Sequence, residues 1–462
     1  MALPSAPPAP ASAPVAAPGL RRALCLLEEA VLTSGAQRAH GSQPARAVPS
    51  AGAVHPYEFA VVAMENGEPA AFRVEADRRT CARLSTGDRV AAALRDCALP
   101  LPEAEGALLV TLTRPWLSMR KYGDRGYLYT QLDAGHASAN LLLATEGRGG
   151  TAELRLRFPR ESLAELLGAA DNFREIHSAI PLPPGPVDPA WTRWSVHDAT
   201  GREPHGPAWR PWLESACWDS LTGWTGHHGA PGLPTDPLLP AAAAPLARVR
   251  TDGQLPGARA GLGHPSGWPE LIGNRTSSKA FTGEAVSATA VWQSVSALST
   301  PLRTDLPDAS PLSATLVLRS ATESERNAVY RLRTGERRPD RLPSTDEVAR
   351  ACMQQRALAG AAAVLLLHVP RTSLAGLAPA ATGETLRELA FRCGALGQLL
   401  YLGAHRAGVG VTAIGGFDTR MWRALAGLPQ GDEILYALLL GDPDDTGVKF
   451  DRLATAHAQN ER

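Results

Sequence analysis

The sequence resembles itself. When its second half is laid on its first with a shift of 258 or 259 positions, landmarks coincide over more than 130 residues. Pro49-Ser50-Ala51-Gly52 falls on Pro307-Asp308-Ala309-Ser310, and the helical stretch Gly135 to Thr145 falls on Gly394 to Ala404. Farther on, Phe158 meets Phe417, Gly168 meets Gly427, Ile176 meets Leu435, Ile180 meets Leu439 and Pro184 meets Pro443. An internal repeat outranks any single motif, because it dictates how many times one unit is built. The expected architecture is α+β: two diverged copies of one unit, residues 19–190 and 266–462, forming a pseudo-dimer within the chain. A Trp/Pro/Gly-rich insert or linker, 191–265, joins them. Residues 1–18, a Pro/Ala arm without charge or aromatic ring, have too little to bury and are expected to be disordered.

The coarse pattern of each copy supports a sheet with packed helices. Glu58 to Ala63, Ala107 to Leu112, Thr315 to Leu318, Ala362 to His368 and Ile434 to Leu440 have strand composition, while Leu386 to Gly403 repeats apolar residues at helical spacing. Composition excludes several function classes. Lys and Arg number 46 against 46 Asp and Glu, so no basic footprint for nucleic acid exists. The longest apolar run, Ala361 to Val369, falls short of the roughly 18 residues a bilayer needs, and no cationic start precedes an apolar core, so a cytoplasmic protein without membrane contact is expected. Six cysteines lack the short paired spacings of a metal site, and none is expected. Of the ten tryptophans, six crowd the insert (Trp191, Trp194, Trp209, Trp212, Trp218 and Trp224), where they either pin an irregular segment to a core or line a peptide groove.

Among the 46 basic residues only Lys121, Lys279 and Lys449 are lysines. Against such an arginine excess each lysine invites inspection, and each lies in or near a motif. Arg275-Thr276-Ser277-Ser278-Lys279 places two cations and a hydroxyl within five residues, a set able to hold a phosphate monoester and a polar linker. Ala413-Ile414-Gly415-Gly416-Phe417 and the closing Leu440-Gly441-Asp442-Pro443 follow, with Lys449 and Arg452 beyond. In that order these segments resemble the flavin-binding pattern of the nitroreductase superfamily. The resemblance implies FMN as cofactor, its phosphate and ribityl chain held by Arg275, Ser277 and Lys279, with Lys449 and Arg452 assigned to it more loosely. It also implies that Gly415 and Gly416 let backbone approach the flavin ring, a role that suits a residue without a side chain.

The first copy carries Pro49-Ser50-Ala51-Gly52-Ala53-Val54-His55-Pro56, then Lys121-Tyr122-Gly123-Asp124-Arg125-Gly126-Tyr127 and Asp133-Ala134-Gly135-His136. Together these resemble the SagB-type dehydrogenases, which oxidise azoline rings of thiazole- and oxazole-containing peptides. Nitroreductase-type proteins are normally dimers with FMN between subunits, and here the two contributions are split between copies. Position 275 falls back onto Ala16, and Gly415-Gly416 fall on Leu156-Arg157, so the first copy lacks a flavin half. Asp308 and Pro311 interrupt the second copy's turn, and it has no Lys-Tyr pair. One intact FMN site per chain is therefore expected, with the turn Pro49, Ser50, Ala51 and Gly52 completing it.

Azoline oxidation removes a proton beside the carbonyl and a hydride from the neighbouring ring carbon, so the protein must supply a base. Tyr122 with Lys121 is the first choice, since an adjacent ammonium favours phenolate; His55 is the second. Asp124 and Arg125 are expected to pair and hold the loop. Electrons would pass to dioxygen, no nicotinamide fingerprint being present. The implied partners are a modified precursor peptide and a cyclodehydratase or leader-binding protein. Two alternatives stand beside this reading: an NAD(P)H-dependent nitroreductase or FMN oxidase of another peptide or assembly-line substrate, and a non-catalytic flavin-binding scaffold of a peptide-modifying complex.

Overall fold

The computed structural model describes residues 13–32, 46–76, 78–169, 174–185, 194–199, 261–307, 310–338, 341–375 and 386–444. In the N-terminal half, β1 (Ala13–Pro14), β2 (Tyr57–Glu65), β3 (Glu68–Glu75), β4 (Thr80–Thr86), β5 (Ala107–Thr113), β6 (Glu175–Leu182) and β7 (Ser195–Asp198) form one sheet, ordered β1-β7-β4-β3-β2-β5-β6. In the C-terminal half, β9 (Ser313–Leu318), β10 (Ala328–Arg331), β11 (Glu336–Arg338), β12 (Ala363–Pro370), β13 (Gly410–Ile414) and β14 (Asp432–Gly441) form a second, ordered β11-β10-β9-β12-β14-β13. A two-stranded ribbon pairs β8 (Ala280–Phe281) with β15 (Pro443–Asp444). Laid over one another at the sequence shift, β4-β3-β2-β5-β6 and β11-β10-β9-β12-β14 are the same path. The repeat in sequence is thus a repeat in topology.

Alternation explains why these strands read as almost uniformly apolar. Along β2, Tyr57, Phe59, Val61 and Ala63 face a core shared by both halves, while Ala60 and Val62 face a second core. Along β12, Ala363, Leu365, Leu367 and Val369 face the shared core, and Val364 and Leu366 face a third. A strand buried on both faces loses the polar half of the usual pattern. Helices α1 (Pro18–Leu27), α2 (Asp88–Asp96), α3 (Pro115–Tyr122), α4 (Arg125–Gly147) and α5 (Glu161–Leu166) belong to the first half. Helices α6 (Trp268–Asn274), α7 (Ala288–Ser296), α8 (Thr345–Ala351), α9 (Leu386–Arg406) and α10 (Thr419–Leu425) belong to the second. The outer cores lie under α2 and α5 in one half and under α8 and α10 in the other.

The long helices α4 and α9 pack on each other in the shared core. Their closest approach is glycine on glycine: a Cβ on Gly135 would meet Phe391 O at 2.6 Å and Gly394 Cα at 3.1 Å, and one on Gly394 would meet Leu132 O at 2.2 Å and Gly135 Cα at 3.1 Å. Gly135 and Gly394 are partners in the sequence shift, as are Leu132 and Phe391. Each residue therefore meets the copy of what meets it, which is the self-complementarity of a two-fold interface.

The expectation of a disordered arm over 1–18 is corrected in its last residues. Ala13 and Pro14 pair with β7, Val15 and Ala17 are buried, and Pro18 opens α1, where its missing N–H costs nothing. Composition could not show that β7 offers these residues a backbone partner; residues 1–12 lie outside the described set. The Trp-rich insert contributes β7, and Trp194 is buried with its Nε1 donating to Glu28 Oε2 at 2.9 Å. The other five clustered tryptophans lie outside the described residues. Among the described residues no helix is long and apolar enough to cross a membrane.

Candidate active site between the two halves

Helix α4 organises a cavity of about 320 Å³ that both halves line. Its residues Arg125, Tyr129, Leu132, Asp133 and His136 share one face at helical spacing. Tyr129 Oη donates to the Gly415 carbonyl at 2.6 Å and Arg125 Nη1 to the same oxygen at 3.2 Å, with the guanidinium 5.6 Å from the Phe417 ring centroid. The glycine strand end of the second half is therefore held by a helix of the first. A Cβ on Gly415 would meet the Tyr129 ring at 2.6 Å, whereas one on Gly416 would have no neighbour nearer than 3.9 Å. The first glycine permits close packing, and the second leaves open space.

On the other wall, Gly123 at φ +59° ends α3 and leaves Lys121 and Tyr122 at its terminus. The turn Pro49–Gly52 lies against them: Gly52 has φ +59°, and a Cβ there would fall 2.4 Å from Tyr122 Oη and 2.5 Å from Lys121 Nζ. Both head groups thus meet at the one residue that has neither side chain nor a right-handed backbone. Tyr122 stacks edge-on against Tyr129, centroids 5.0 Å apart, and Lys121 Nζ lies 5.4 Å from the Tyr122 ring centroid. Asp133, fully buried, accepts from Ser50 Oγ at 2.5 Å and from Ala51 N at 3.3 Å. Burial pushes its carboxyl up to about 7, against the opposing pull of those two hydrogen bonds.

A chain of donors runs beneath the cavity. Burial holds His136 neutral, its pKa lowered to about 3, and raises Tyr436 well above the ordinary phenol range. Because Gln398 Nε2 donates to Asn140 Oδ1 at 2.6 Å and Asn140 Nδ2 to Ala30 O at 2.8 Å, Gln398 Oε1 is left to accept from His136 Nδ1 at 3.0 Å. His136 Nε2 then accepts from Tyr436 Oη at 2.9 Å. The network crosses from one half to the other and fixes Tyr436, whose side chain lines the cavity.

Of the residues singled out in the sequence, Pro49, Ser50, Ala51, Gly52, Lys121, Tyr122, Ser277, Gly415 and Gly416 line this cavity together. Three others do not line it. Arg275 is 1% exposed and ties the halves: its Nε donates to Ala47 O at 2.6 Å, Nη2 to Arg46 O at 3.3 Å and Nη1 to Ser277 Oγ at 3.0 Å. Lys279 is half-buried outside the cavity wall. His55, at φ +50°, donates its backbone N–H to Ser50 Oγ at 2.8 Å and sets Nδ1 3.1 Å from Tyr57 Oη. Lys449 and Arg452 lie outside the described residues. Arg125, expected to pair with Asp124, reaches across to Gly415 and Phe417. Tyr129, Gln355, Tyr401 and Tyr436 also line the cavity, though no motif in the sequence marks them. Among the described residues no cluster of His, Cys, Asp and Glu could hold a metal.

Comparison with known proteins fits this geometry. Residues 272–442 match the nitroreductase family. A solved structure described as a nitroreductase from Anabaena variabilis ATCC 29413 is similar over 92% of this chain and 88% of its own, at 19% identity and a TM-score of 0.64. That likeness extends the nitroreductase fold from the matched segment to both halves. The E. coli microcin synthetase McbBCD complex with truncated pro-MccB17 aligns over 48% of this chain and 86% of its own, at 14% identity and a TM-score of 0.31. A nitroreductase from Desulfovibrio desulfuricans in complex with FMN aligns over 41% and 92%, at 20% identity and a TM-score of 0.26. No curated protein matches the sequence.

At the positions related to this cavity by the sequence shift, the nitroreductase fold carries different chemistry. Gly416 becomes Arg157 and Tyr129 becomes Glu388, and the two form a bidentate ion pair at 3.0 and 2.7 Å between the halves. Asp133 becomes Arg392, whose Nη2 donates to Pro307 O at 2.6 Å. The open space beside Gly416 is replaced there by two long side chains.

Proposed function

We propose that this chain is an FMN-dependent dehydrogenase that oxidises thiazoline or oxazoline rings to thiazoles or oxazoles in a ribosomally made peptide, with dioxygen taking the electrons. The observation that carries the reading is the meeting of Lys121 and Tyr122 at Gly52, on the wall of a cavity that Gly415 and Gly416 also line. The ion pair Arg157–Glu388 and Arg392, standing at the positions that match Gly416, Tyr129 and Asp133, support one working site per chain, as expected of two fused copies freed from strict symmetry.

The residues suit the cofactor. Gly416 leaves room for a planar ring, the hydroxyls of Ser277 and Tyr401, 3.2 Å apart, suit a polyol chain, and Arg275 supplies positive charge behind Ser277. When bound, FMN supplies the two-electron acceptor. The protein supplies the proton chemistry: Tyr122 Oη accepts the proton from the ring carbon beside the carbonyl, and Lys121 Nζ favours the phenolate that does so. Substrate reaches the site after a ring-forming enzyme has acted, which makes a cyclodehydratase or leader-binding protein the expected partner.

Anaerobic mixing separates this reading from a nicotinamide-dependent reductase. A peptide carrying one thiazoline should bleach the flavin absorbance of the loaded protein and emerge two mass units lighter, while NADPH should leave the flavin oxidised over the same interval. Bleaching by NADPH alone would contradict the proposal.

A further inference from the structure

The position related by the sequence shift is a tether in both halves. In the second half Arg392 holds the Pro307 carbonyl from α9; in the first half Asp133 holds Ser50 and Ala51 from α4. Asp133 lines the cavity, and the turn it holds ends in the glycine that Lys121 and Tyr122 pack upon. The turn's own backbone closes through Ala53 N to Ser50 O at 3.0 Å and Val54 N to Ala51 O at 3.3 Å, and part of it is strained. Gly52, Ala53 and His55 have φ of +59°, +56° and +50°, a run that non-glycine residues adopt only when surrounding contacts impose it. Ser50 Oγ, which accepts from the His55 backbone N–H, is the contact nearest that strain, and Asp133 fixes Ser50.

We propose that Asp133 is a positioning residue: its ionised carboxylate locks the turn at Ser50 and Ala51, and through Gly52 sets Lys121 and Tyr122 for proton removal. The activity arm of this inference rests on the proposed function; the binding and stability arms do not. A carboxylate accepts from Ser50 Oγ and from Ala51 N through charge-assisted hydrogen bonds, which are stronger than those a neutral carboxyl makes. The ionised form therefore holds the turn more tightly than the protonated one. Other titratable or charged groups around the turn are Tyr57 and Tyr436, both raised by burial, His136, held neutral, and Lys121, Tyr122, Tyr129, Tyr401, His55, Arg46 and Arg275.

Two opposite pH trends follow. The folded-state pKa of about 7 lies above the ordinary value of 3.8, so the burial of Asp133 favours folding below pH 4 and loses that contribution as pH rises toward 7. Activity runs the other way, rising with pH through about 7 as the turn locks. The test compares parent, Asp133→Asn, Asp133→Ala and His55→Gln in three measurements: kcat against pH on a thiazoline peptide, FMN affinity, and thermal midpoint of the flavin-free protein at pH 5 and pH 8. Asparagine keeps an acceptor for Ser50 without a charge, so it should lose the limb near pH 7 and gain midpoint relative to the parent as pH rises. Alanine should lower kcat by on the order of 10²-fold with KM little changed, as misplaced catalytic groups do. His55→Gln should keep the limb. A limb that survives in Asp133→Asn, or that vanishes in His55→Gln, would overturn the proposal, as would identical midpoint trends in parent and Asp133→Asn. If no variant including the parent oxidises the peptide, the functional reading fails, and the midpoint trend still decides the role of Asp133.

Discussion

Tyr122→Phe is expected to lower azoline oxidation by about 10² to 10⁴-fold while leaving FMN bound, since a placed base contributes that much. Phenylalanine preserves the ring that stacks edge-on against Tyr129 at 5.0 Å and removes only the oxygen that lies 2.4 Å from the Cβ position of Gly52. The wall of the cavity therefore survives the change, and a loss of rate can be assigned to the missing hydroxyl. Steady-state kinetics with the thiazoline peptide, beside the flavin spectrum of the variant, makes the measurement. A loss below threefold would remove Tyr122 from the proton transfer and pass the role to another group.

The largest effect on stability is expected at the crossing of α4 and α9, in Gly394→Val. Its Cβ would stand 2.2 Å from the Leu132 carbonyl oxygen and 3.0 Å from the carbonyl carbon, both backbone atoms of a neighbouring helix that no rotamer change can move. The helices must separate, and overpacking of a core costs about 1–3 kcal/mol even where side chains can yield. Here a loss of about 3 kcal/mol or more is expected, at the upper end of what single substitutions cost. Gly431→Ala makes the comparison, because a Cβ there meets nothing within 4 Å. Chemical denaturation of the two variants should differ by at least that amount. Near-equal stabilities would mean that α4 and α9 do not cross at these glycines.

The architecture was largely legible because a repeat leaves marks at fixed distances. Six expected elements lie within or nearly within observed ones, from Glu58 to Ala63 inside β2 to Leu386 to Gly403 inside α9. The meeting of Pro49–Gly52 and Lys121-Tyr122 with Gly415-Gly416 in one cavity was also readable, since the two halves of the pattern are incomplete separately. Arg275 was readable as a site residue and not as a tether. Its partners Arg46 O and Ala47 O are backbone atoms some 230 positions away, and no side-chain pattern announces a carbonyl. Tyr129, Asp133 and His136 were within reach at helical spacing from Arg125, but a motif read as a string does not show which of its letters face one way. A second flavin site is missing from the sequence through absent motif residues. The Arg157–Glu388 pair and Arg392 were also written there, as charges standing at the shifted positions of Gly416, Tyr129 and Asp133.

One FMN site per chain, built from both halves, is the proposed arrangement. Flavin stoichiometry of the purified protein after loading with FMN and removal of excess, compared with Ser277→Ala, Gly416→Leu, decides it. One FMN per chain in the parent and loss of binding in the variant is the expected result. Two FMN per chain, or one that persists when the space beside Gly416 is filled, would contradict it.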